Sequence, residues 1–309
     1  MGARAIEPVQ FSLAERDFAD FAAALGASFA RHGFAVVAGH PVSDAIALSM
    51  LARAKALFAL PAEVKARYHV PGGAGQRGYT PFAVETAKGE AHPDLKEFWH
   101  VGRPGEPSGG SLPDNVWPSE VPQFETFASI LFGAMEYVAL ILMAAIEVYL
   151  GVAEGVLVSA AEGGSSVLRL LHYPPSDFTG AAVRAAPHED INAITLLLGA
   201  EEAGLQILER HGGWLPIDPP PGALVVNIGD MLARLTNDVL PSTTHRVVNP
   251  GAKRAGVARY SMPFFLHLRS GFLIETLPEC VREGRPNRYP APITAEAFLA
   301  RRLKEIGLA

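Results

Sequence analysis

The sequence predicts a mainly β fold with flanking helices, built around a sandwich or barrel of the jelly-roll type. After about residue 165 the chain consists of short apolar runs separated by Gly, Pro and Asp, a pattern typical of short strands joined by turns. Many such strands in one region indicate a jelly roll. Before this point apolar side chains recur mostly at helical spacing, which predicts helices that flank the β core.

The N-terminal third is predicted to mix helices with a strand. Ser12 followed by Glu15 has the spacing of a capping box and predicts a helix start, and Gly33 is placed where that helix ends. The apolar run FAVVAGH after it predicts a strand. Further helices are expected over residues 43–58 and from Pro61, because a proline fits the first turn of a helix.

A long apolar helix is expected over about residues 122–150. Its most apolar run, YVALILMAAI at 137–146, is shorter than the roughly 18–20 residues that span a bilayer. We therefore predict a buried core helix and no membrane partner. The preceding segment 103–118 is rich in Gly and Pro, and its length makes it a candidate lid.

The β region and the chain end complete the expected organisation. A last helix is expected from Thr294, and ERHGGW is a predicted hairpin turn. Residues 1–120, a mixed α/β region, and 121–309, with a helix, the β core and the last helix, are expected to form one integrated unit. The predicted strands are, in order, SVLRLLHY, INAITLLL, LQILE, WLPI, ALVVNIGD, HRVVNP and RYSMPFFLHL.

The net charge and the cysteine content indicate which partners the protein can bind and in which compartment it is located. The 309 residues carry a formal net charge of −6, which argues against nucleic acid because phosphate binding needs a concentrated positive face. Cys280 is the single cysteine, so no intramolecular disulfide can form, and this favours a reducing cytoplasm. We expect a cytoplasmic protein, and the composition leaves its oligomeric state open.

The segment PHEDINAITLLL, residues 187–198, places polar side chains directly before an apolar run. Residues two apart on a strand share a face, so His188 and Asp190 are predicted to project together while Glu189 faces away. His245, which follows the polar run PSTT, is the candidate third ligand of a metal. Two histidines and one carboxylate suit non-haem Fe(II) that also binds a co-substrate and O₂. The alternative is a polar turn in which Asp190 caps backbone amides.

The segment RYSMPFF carries a second pair of polar residues on one strand face. Arg259 and Ser261 are two residues apart, so the guanidinium and the hydroxyl can together bind a carboxylate. An inward-facing arginine among apolar residues is costly unless it is paired with an anion. The alternative is a structural partner, an internal Asp or Glu.

The order of these motifs resembles the isopenicillin N synthase-like family of Fe(II)- and 2-oxoglutarate-dependent oxygenases. PHEDINAITLLL, GLQIL, GALVVNIGDMLARLTN, STTHRVVNP and RYSMPFF follow one another as the corresponding segments do in that family. GFAVVAGH, FALPAEVKARY, RGYTP and KEFWHVGRP resemble its amino-terminal region. The resemblance covers nearly the whole chain, and the ordered set is far more specific than H-x-D alone.

The resemblance implies a double-stranded β-helix core in which His188, Asp190 and His245 hold Fe(II). It also implies that Arg259 and Ser261 bind the distal carboxylate of 2-oxoglutarate, whose 2-oxo acid end chelates the metal.

Three further positions follow from the resemblance. Tyr173 matches a family tyrosine near the co-substrate or substrate carboxylate, although many members have Asn where this chain has Leu171. Arg77 matches a position at which some relatives hold a substrate carboxylate; the alternative is a solvated loop arginine. Phe265 is a candidate for packing on the substrate.

The implied activity couples oxidative decarboxylation of 2-oxoglutarate to succinate with hydroxylation, desaturation or cyclisation of a small molecule. One alternative is a 2-oxoglutarate-independent Fe(II) oxidase of the isopenicillin N synthase type, because that enzyme uses the same R-x-S pair on its substrate. Another is a non-catalytic protein of the same fold that binds a metal and a ligand. A zinc hydrolase with the same ligands is the third.

Overall fold

The computed structural model describes residues 5–85, 93–105, 112–175, 184–198, 204–249 and 256–308. The helices in these ranges are α1 (Leu13–Arg16), α2 (Phe18–His32), α3 (Asp44–Phe58), α4 (Ala62–Ala66), α5 (Phe124–Leu150), α6 (Val156–Ala161), α7 (Asp230–Leu235) and α8 (Ala295–Glu305). The strands are β1 (Pro8–Gln10), β2 (Phe34–Ala38), β3 (Gly78–Thr80), β4 (Glu97–Gly102), β5 (Val167–Tyr173), β6 (Ala185–His188), β7 (Ile194–Leu198), β8 (Leu205–Leu208), β9 (Trp214–Pro216), β10 (Leu224–Ile228), β11 (His245–Val247), β12 (Arg259–Ser261), β13 (Pro263–Leu266), β14 (Leu273–Ile274) and β15 (Ile293–Thr294).

Two sheets form the β core. The major sheet has the order β1-β2-β10-β7-β13-β5-β4-β3, with β12 also paired to β5, and the minor sheet has the order β6-β11-β8-β9. Apolar side chains of the two sheets pack on one another, among them Phe34 and Val225 from the major sheet and Ile207 and Leu215 from the minor sheet. The mainly β core with flanking helices is the fold class that the sequence predicts.

Side chains alternate between the two faces of the major sheet, so one face packs in the hydrophobic core and the other lines a cavity between the sheets. In β10, Leu224 and Val226 join the large apolar cluster that includes the helices, while Asn227 lines a cavity between the sheets. In β5, Leu170 belongs to the same apolar cluster and Arg169 lines the cavity. Because successive side chains point to opposite faces of a strand, one strand supplies both the core and the site.

Helix α5 lies against α2, α3 and the major sheet. Its Phe132 meets Phe264 of β13 edge to face, with ring centroids 5.0 Å apart, and Leu142 and Met143 are fully buried. The predicted core helix is therefore confirmed, but it is longer than the apolar run at 137–146. Its 27 residues are long and apolar enough to cross a membrane by length and composition alone, a test that buried core helices also pass, and half of its most apolar stretch is buried.

Helix α1 begins directly after Ser12, as predicted, but the Ser12 side chain makes no capping hydrogen bond, so the predicted capping box does not form. Helix α1 ends at Arg16, and Asp17 caps α2 by accepting a hydrogen bond from the backbone N–H of Asp20 at 3.0 Å. The predicted end at Gly33 is confirmed: this residue has φ +68°, and a Cβ there would lie 2.2 Å from Oγ1 of Thr243. Only glycine fits both the left-handed backbone and this contact.

The N-terminal region shares the major sheet with the β region. Strand β2 pairs with β10 through Val36 and Val225, and β4 pairs with β5 through Trp99 and Leu170. The boundary at residue 120 stays a prediction. The predicted hairpin occurs between β8 and β9, and the predicted last helix begins after Thr294, which caps it.

Candidate metal centre

The segment PHEDINAITLLL is not one strand. β6 ends at His188 and β7 begins at Ile194, so Asp190 lies in the turn between them. The side chain of Asn192 donates to the carbonyl of Ile194 at 2.6 Å and to Thr195 Oγ1 at 3.2 Å, and such local bonds stabilise a turn over a continued strand. The prediction of a strand from His188 onwards is therefore wrong, although His188 and Asp190 do converge.

The two histidines are brought together by strand pairing. His188 and His245 are register partners in the β6–β11 ladder, and their ring centroids are 4.3 Å apart. Asp190 Oδ1 lies 3.9 Å from Nε2 of His188 and 3.8 Å from Nε2 of His245. The three ligand atoms lie within 4.8 Å of one another, a spacing at which a single cation can contact all of them.

The second nitrogen of each ring holds the imidazole in a metal-binding orientation. Nδ1 of His188 donates to the carbonyl of Ala186 at 2.7 Å, and Nδ1 of His245 donates to the carbonyl of Thr243 at 3.1 Å. With the proton on Nδ1, the Nε2 lone pair is left to bind a metal. Phe34 of β2 meets the His245 ring edge to face, with centroids 5.4 Å apart.

The two oxygens of Asp190 have different surroundings. Oδ2 accepts hydrogen bonds from Thr195 Oγ1 at 2.5 Å and from Asn227 Nδ2 at 2.8 Å, and these residues are register partners in the β7–β10 ladder. Oδ1 faces the histidines. The sequence analysis missed Thr195 and Asn227; the available signal was a polar residue inside each of two apolar strands, INAITLLL and ALVVNIGD.

The electrostatics keep Asp190 and His245 in the forms that bind a metal. Burial opposes ionisation of Asp190, but His245 and His188, together with the hydrogen bonds from Asn227 and Thr195, lower the pKa of its carboxyl. Burial, together with the neighbouring His188, lowers the pKa of His245 to about 4. An ionised carboxylate beside a neutral imidazole fits a divalent metal.

The predicted carboxylate-binding residues lie in the same cavity of about 340 Å³ as the triad. Arg259 and Ser261 of β12 are buried and pair in register with Tyr173 and Leu171 of β5. The Arg259 guanidinium carbon lies 5.2 Å from the centroid of the Tyr173 ring. The structure thus places a buried cation, a hydroxyl and a phenol on one wall of the cavity.

Comparison with known proteins decides the family. Residues 164–268 match the 2OG-Fe(II) oxygenase superfamily, and residues 6–120 match the N-terminal family described as non-haem dioxygenase in morphine synthesis. The 2-oxoglutarate-Fe(II) type oxidoreductase hxnY of Emericella nidulans is 34% identical over 285 residues, covering 86% of this chain and 78% of the relative. The chain belongs to the 2-oxoglutarate–Fe(II) oxygenase superfamily.

Solved structures show the same relationship at the level of the fold. A 2OG-Fe(II) oxygenase family protein from Caulobacter crescentus is 54% identical, with a TM-score of 0.89 and coverage of 98% of this chain and 99% of that one. A full-length protein of Neurospora crassa, solved in complex with alpha-KG and thymine, is 28% identical, with a TM-score of 0.86 and coverage of 97% and 96%. The oxygenase is thus a 2-oxoglutarate-dependent dioxygenase with the jelly-roll core of this superfamily.

Glu189 does not face away from the site, as the strand argument predicted. It lies in the turn rather than on a strand, lines the cavity of the oxygenase, and accepts a hydrogen bond from Thr244 Oγ1 at 2.9 Å. Thr244 directly precedes His245, so this bond connects the turn that carries Asp190 to the strand that carries the third ligand.

The two predicted substrate residues of the oxygenase differ in position. Phe265 is half-buried and lines the cavity. Arg77 is buried, which makes the alternative of a solvated arginine wrong; its guanidinium packs so closely on Gly102 that a Cβ there would lie 2.1 Å from its Cζ. Arg77 does not line the cavity, and a substrate contact from it stays a prediction. The lid prediction for 103–118 includes residues 106–111, which lie outside the described ranges.

Proposed function

We propose that this oxygenase oxidises a small molecule with Fe(II) held by His188, Asp190 and His245. The observation that carries the proposal is the convergence of the three ligand atoms within 4.8 Å in the wall of one cavity. Two imidazoles and one carboxylate bind Fe(II) and leave adjacent positions open. When bound, the metal supplies the decarboxylation of 2-oxoglutarate by O₂ to succinate and CO₂, coupled to hydroxylation, desaturation or cyclisation of the substrate.

The proposal assigns the binding of the distal 2-oxoglutarate carboxylate to Arg259 and Ser261, with Tyr173 beside them. A buried guanidinium offers charge-assisted hydrogen bonds that are strong because the site excludes water. The Ser261 hydroxyl adds one donor on the same strand face. These contacts fix the far end of the co-substrate, so its 2-oxo acid end points toward the metal ligands in a single orientation.

The proposed substrate is a small molecule of the cavity's size. The Neurospora crassa protein, whose fold this chain shares, is bound to thymine in its solved complex. The dimensions of the cavity are within the range in which small ligands are held. Absence of nucleic-acid and membrane partners and a cytoplasmic location are further proposals, supported by the net charge and the single cysteine.

The test of these assignments needs no knowledge of the primary substrate. Arg259→Gln removes the positive charge and the paired N–H donors of the guanidinium. The KM for 2-oxoglutarate in uncoupled decarboxylation is therefore expected to rise roughly 10- to 100-fold, which corresponds to a loss of about 1.5–3 kcal/mol from charge-assisted hydrogen bonds. Arg103→Gln, which lies outside the cavity and pairs with Glu136, is the matched control and should leave this KM unchanged.

A second measurement tests the metal ligands. Wild-type protein with Fe(II) and 2-oxoglutarate under anaerobic conditions should show a weak visible charge-transfer band, and His245→Ala should abolish it. A band that His245→Ala leaves unchanged would contradict the ligand assignment. Consumption of O₂ without succinate would instead indicate an oxidase that does not use 2-oxoglutarate.

A further inference from the structure

Arg169 forms part of the cavity wall at a distance from the proposed 2-oxoglutarate carboxylate site. It lies on β5 four residues before Tyr173, the register partner of Arg259, and this separation along a strand is roughly 13 Å. Its guanidinium carbon lies over two aromatic rings, 4.4 Å from the centroid of Phe98 and 5.1 Å from that of Phe265. The cavity therefore contains a second arginine whose position does not match that of the co-substrate carboxylate.

The charge of Arg169 is already balanced by the protein. Its Nη1 lies 3.2 Å from Glu85, Glu85 lies 3.4 Å from Nζ of Lys96, and Lys96 lies 2.7 Å from Asp94. Positive and negative side chains alternate along this row of four residues, so their charges sum to zero. Burial opposes ionisation of Glu85, yet Arg169 and Lys96 lower its pKa to about 2, so its negative charge is kept at neutral pH. Asp94 Oδ1 also accepts from the backbone N–H of Ala186, which anchors the row to β6.

Two uncharged histidines lie beside Arg169. His100 Nε2 accepts a hydrogen bond from Arg169 Nε, and burial with the adjacent Arg169 lowers the pKa of His100 well below its ordinary value. Burial, followed by the charge of Arg77, lowers the pKa of His267 to about 4. Nδ1 of His267 is buried and has no hydrogen-bond partner among the described residues. This end of the cavity thus offers hydrogen-bonding groups that add no charge.

One nitrogen of Arg169 is left for a ligand. Nε and Nη1 donate to His100 and Glu85, whereas Nη2 makes no hydrogen bond within the described parts of the chain. Phe265, whose ring lies beside Arg169, and Pro263 add apolar surface to the lining of the cavity. A substrate carboxylate here would meet a guanidinium already neutralised by Glu85, and would lie close to that buried negative charge. A neutral carbonyl oxygen would accept from Nη2 without this repulsion.

We propose that Arg169 and Phe265 form the substrate subsite of the oxygenase, and that this subsite binds a neutral, planar molecule with a carbonyl acceptor, such as an aromatic or cyclic amide. The inference rests on the proposed function, because it takes the triad as the reactive end of the same cavity. Arg169 donates to the carbonyl and Phe265 packs on the flat face, so the pair fixes which edge of the substrate faces the metal ligands.

The test compares matched pairs of probes that differ by one carboxylate. Benzamide with benzoate, and uracil with orotate, are titrated calorimetrically into protein loaded with Fe(II) and 2-oxoglutarate under anaerobic conditions. The neutral member of each pair is expected to bind more tightly than the acid. Arg169→Lys should weaken that binding at least about tenfold, because a lysine cannot reproduce the fixed fork of donors. Arg103→Lys, which has the same kind of Glu pairing outside the cavity, is the control.

The outcomes separate this proposal from the proposed function. Tighter binding of the acids, equal binding of the amides by wild type and Arg169→Lys, or binding of neither probe to the loaded protein would each overturn the assignment. If Arg169→Lys does not fold, as judged by circular dichroism, Phe265→Leu tests the same subsite and should also weaken amide binding. The charge-transfer band with 2-oxoglutarate must persist in every variant. Its loss in wild type would contradict the proposed function instead.

Discussion

At the scale of single residues, hydrogen bonds hold the side-chain atoms of the candidate metal ligands that face away from the metal position. Asp190 uses one oxygen toward the histidines and has the other held by Thr195 and Asn227. Each imidazole likewise has one nitrogen held by a backbone carbonyl. The ligands are therefore oriented before a metal binds, which lowers the entropy cost of forming the complex.

We expect Thr195→Val to weaken Fe(II) binding by about 10- to 100-fold, because the Asp190 carboxylate loses one of the two hydrogen bonds that orient it. The KM for 2-oxoglutarate at saturating iron should stay near the wild-type value. Iron titration followed by the charge-transfer band measures the affinity, and uncoupled decarboxylation measures the KM. Thr236→Val, a buried threonine that bonds to the carbonyl of Ala233, is the matched control. Equal iron affinity in Thr195→Val and wild type would show that Asn227 alone is sufficient.

Sequence reasoning found the three residues that converge at the candidate metal centre, but not the residues that hold them in place. His188, Asp190 and His245 are predictable because their types and order are specific. Thr195 and Asn227 reach Asp190 together because they are register partners in the β7–β10 ladder. Arg169, which the sequence analysis also missed, is held in the cavity wall by contacts with His100 and Glu85 on other segments. Pairings between distant strands are not encoded in any local pattern, so a lone polar residue in an apolar strand gives no indication of its partner.

At the scale of elements, a buried polar cluster connects β4 to the N-terminal helices. Glu97 accepts from Lys65 Nζ at 2.7 Å, from Tyr79 at 2.5 Å and from His172 Nδ1 at 2.7 Å. The His172 ring is stacked on Tyr260, with centroids 4.7 Å apart. One carboxylate thus connects four elements on the side of the major sheet that faces away from the cavity.

Glu97→Gln is expected to destabilise the fold by about 3–5 kcal/mol at pH 7, because it leaves the buried Lys65 without its counter-charge. Hydrogen bonds from His172, Lys65 and Tyr79 outweigh the effect of burial and hold the pKa of Glu97 below the ordinary 4.5. The carboxylate therefore stabilises the fold fully above pH 4.5 and loses this effect as the pH falls through its lowered pKa.

Urea unfolding of wild type and Glu97→Gln at several pH values checks this prediction. The difference in free energy of unfolding should be largest near neutral pH and should shrink below pH 4.5. Glu125→Gln, at an exposed position in the first turn of α5, is the control and should change stability little. A difference that stays constant with pH would show that the charge of Glu97 does not contribute.

The element boundaries that sequence reasoning missed have local causes. The run INAITLLL begins as a turn because the Asn192 side chain bonds to the backbone carbonyl of Ile194 and to the hydroxyl of Thr195. RYSMPFFLHL divides into β12 and β13 at Met262, and Pro263, which has no N–H, begins the second strand. Apolar periodicity predicts that a strand exists, but it does not show where a side chain competes with the backbone ladder.

At the scale of the whole molecule, the C-terminal helix forms part of the cavity wall. Leu299, Leu303 and Ile306 of this segment line the cavity together with the metal ligands. Arg302 pairs with Asp230 at the start of α7 at 3.0 Å, and both side chains are 14% exposed. A largely buried ion pair therefore holds the last helix against the turn region that carries the centre.

Arg302→Leu should loosen α8, because Asp230 is left buried without its cation. We expect backbone amides of α8 to exchange hydrogen at least about tenfold faster, which corresponds to roughly 1.4 kcal/mol of local stability. Hydrogen exchange followed by mass spectrometry measures this directly. Arg301→Leu, whose side chain is 66% exposed, is the neighbouring control. Similar exchange in the two variants would show that apolar packing alone holds the helix.

The pairing of β2 with β10 also has a consequence for folding order. β2 is synthesised well before its partner β10, because helices α3 to α6 and strands β3 to β9 lie between them in the chain. Until then Phe34 lacks both its register partner Asn227 on β10 and its ring contact with His245. The edge of β2 that pairs with β10 in the folded protein therefore stays unpaired during this time. Such long-range closure is slow and leaves apolar strand edges open to other chains. The oxygenase is therefore most vulnerable to aggregation during synthesis, before residues 224–228 close its sheet.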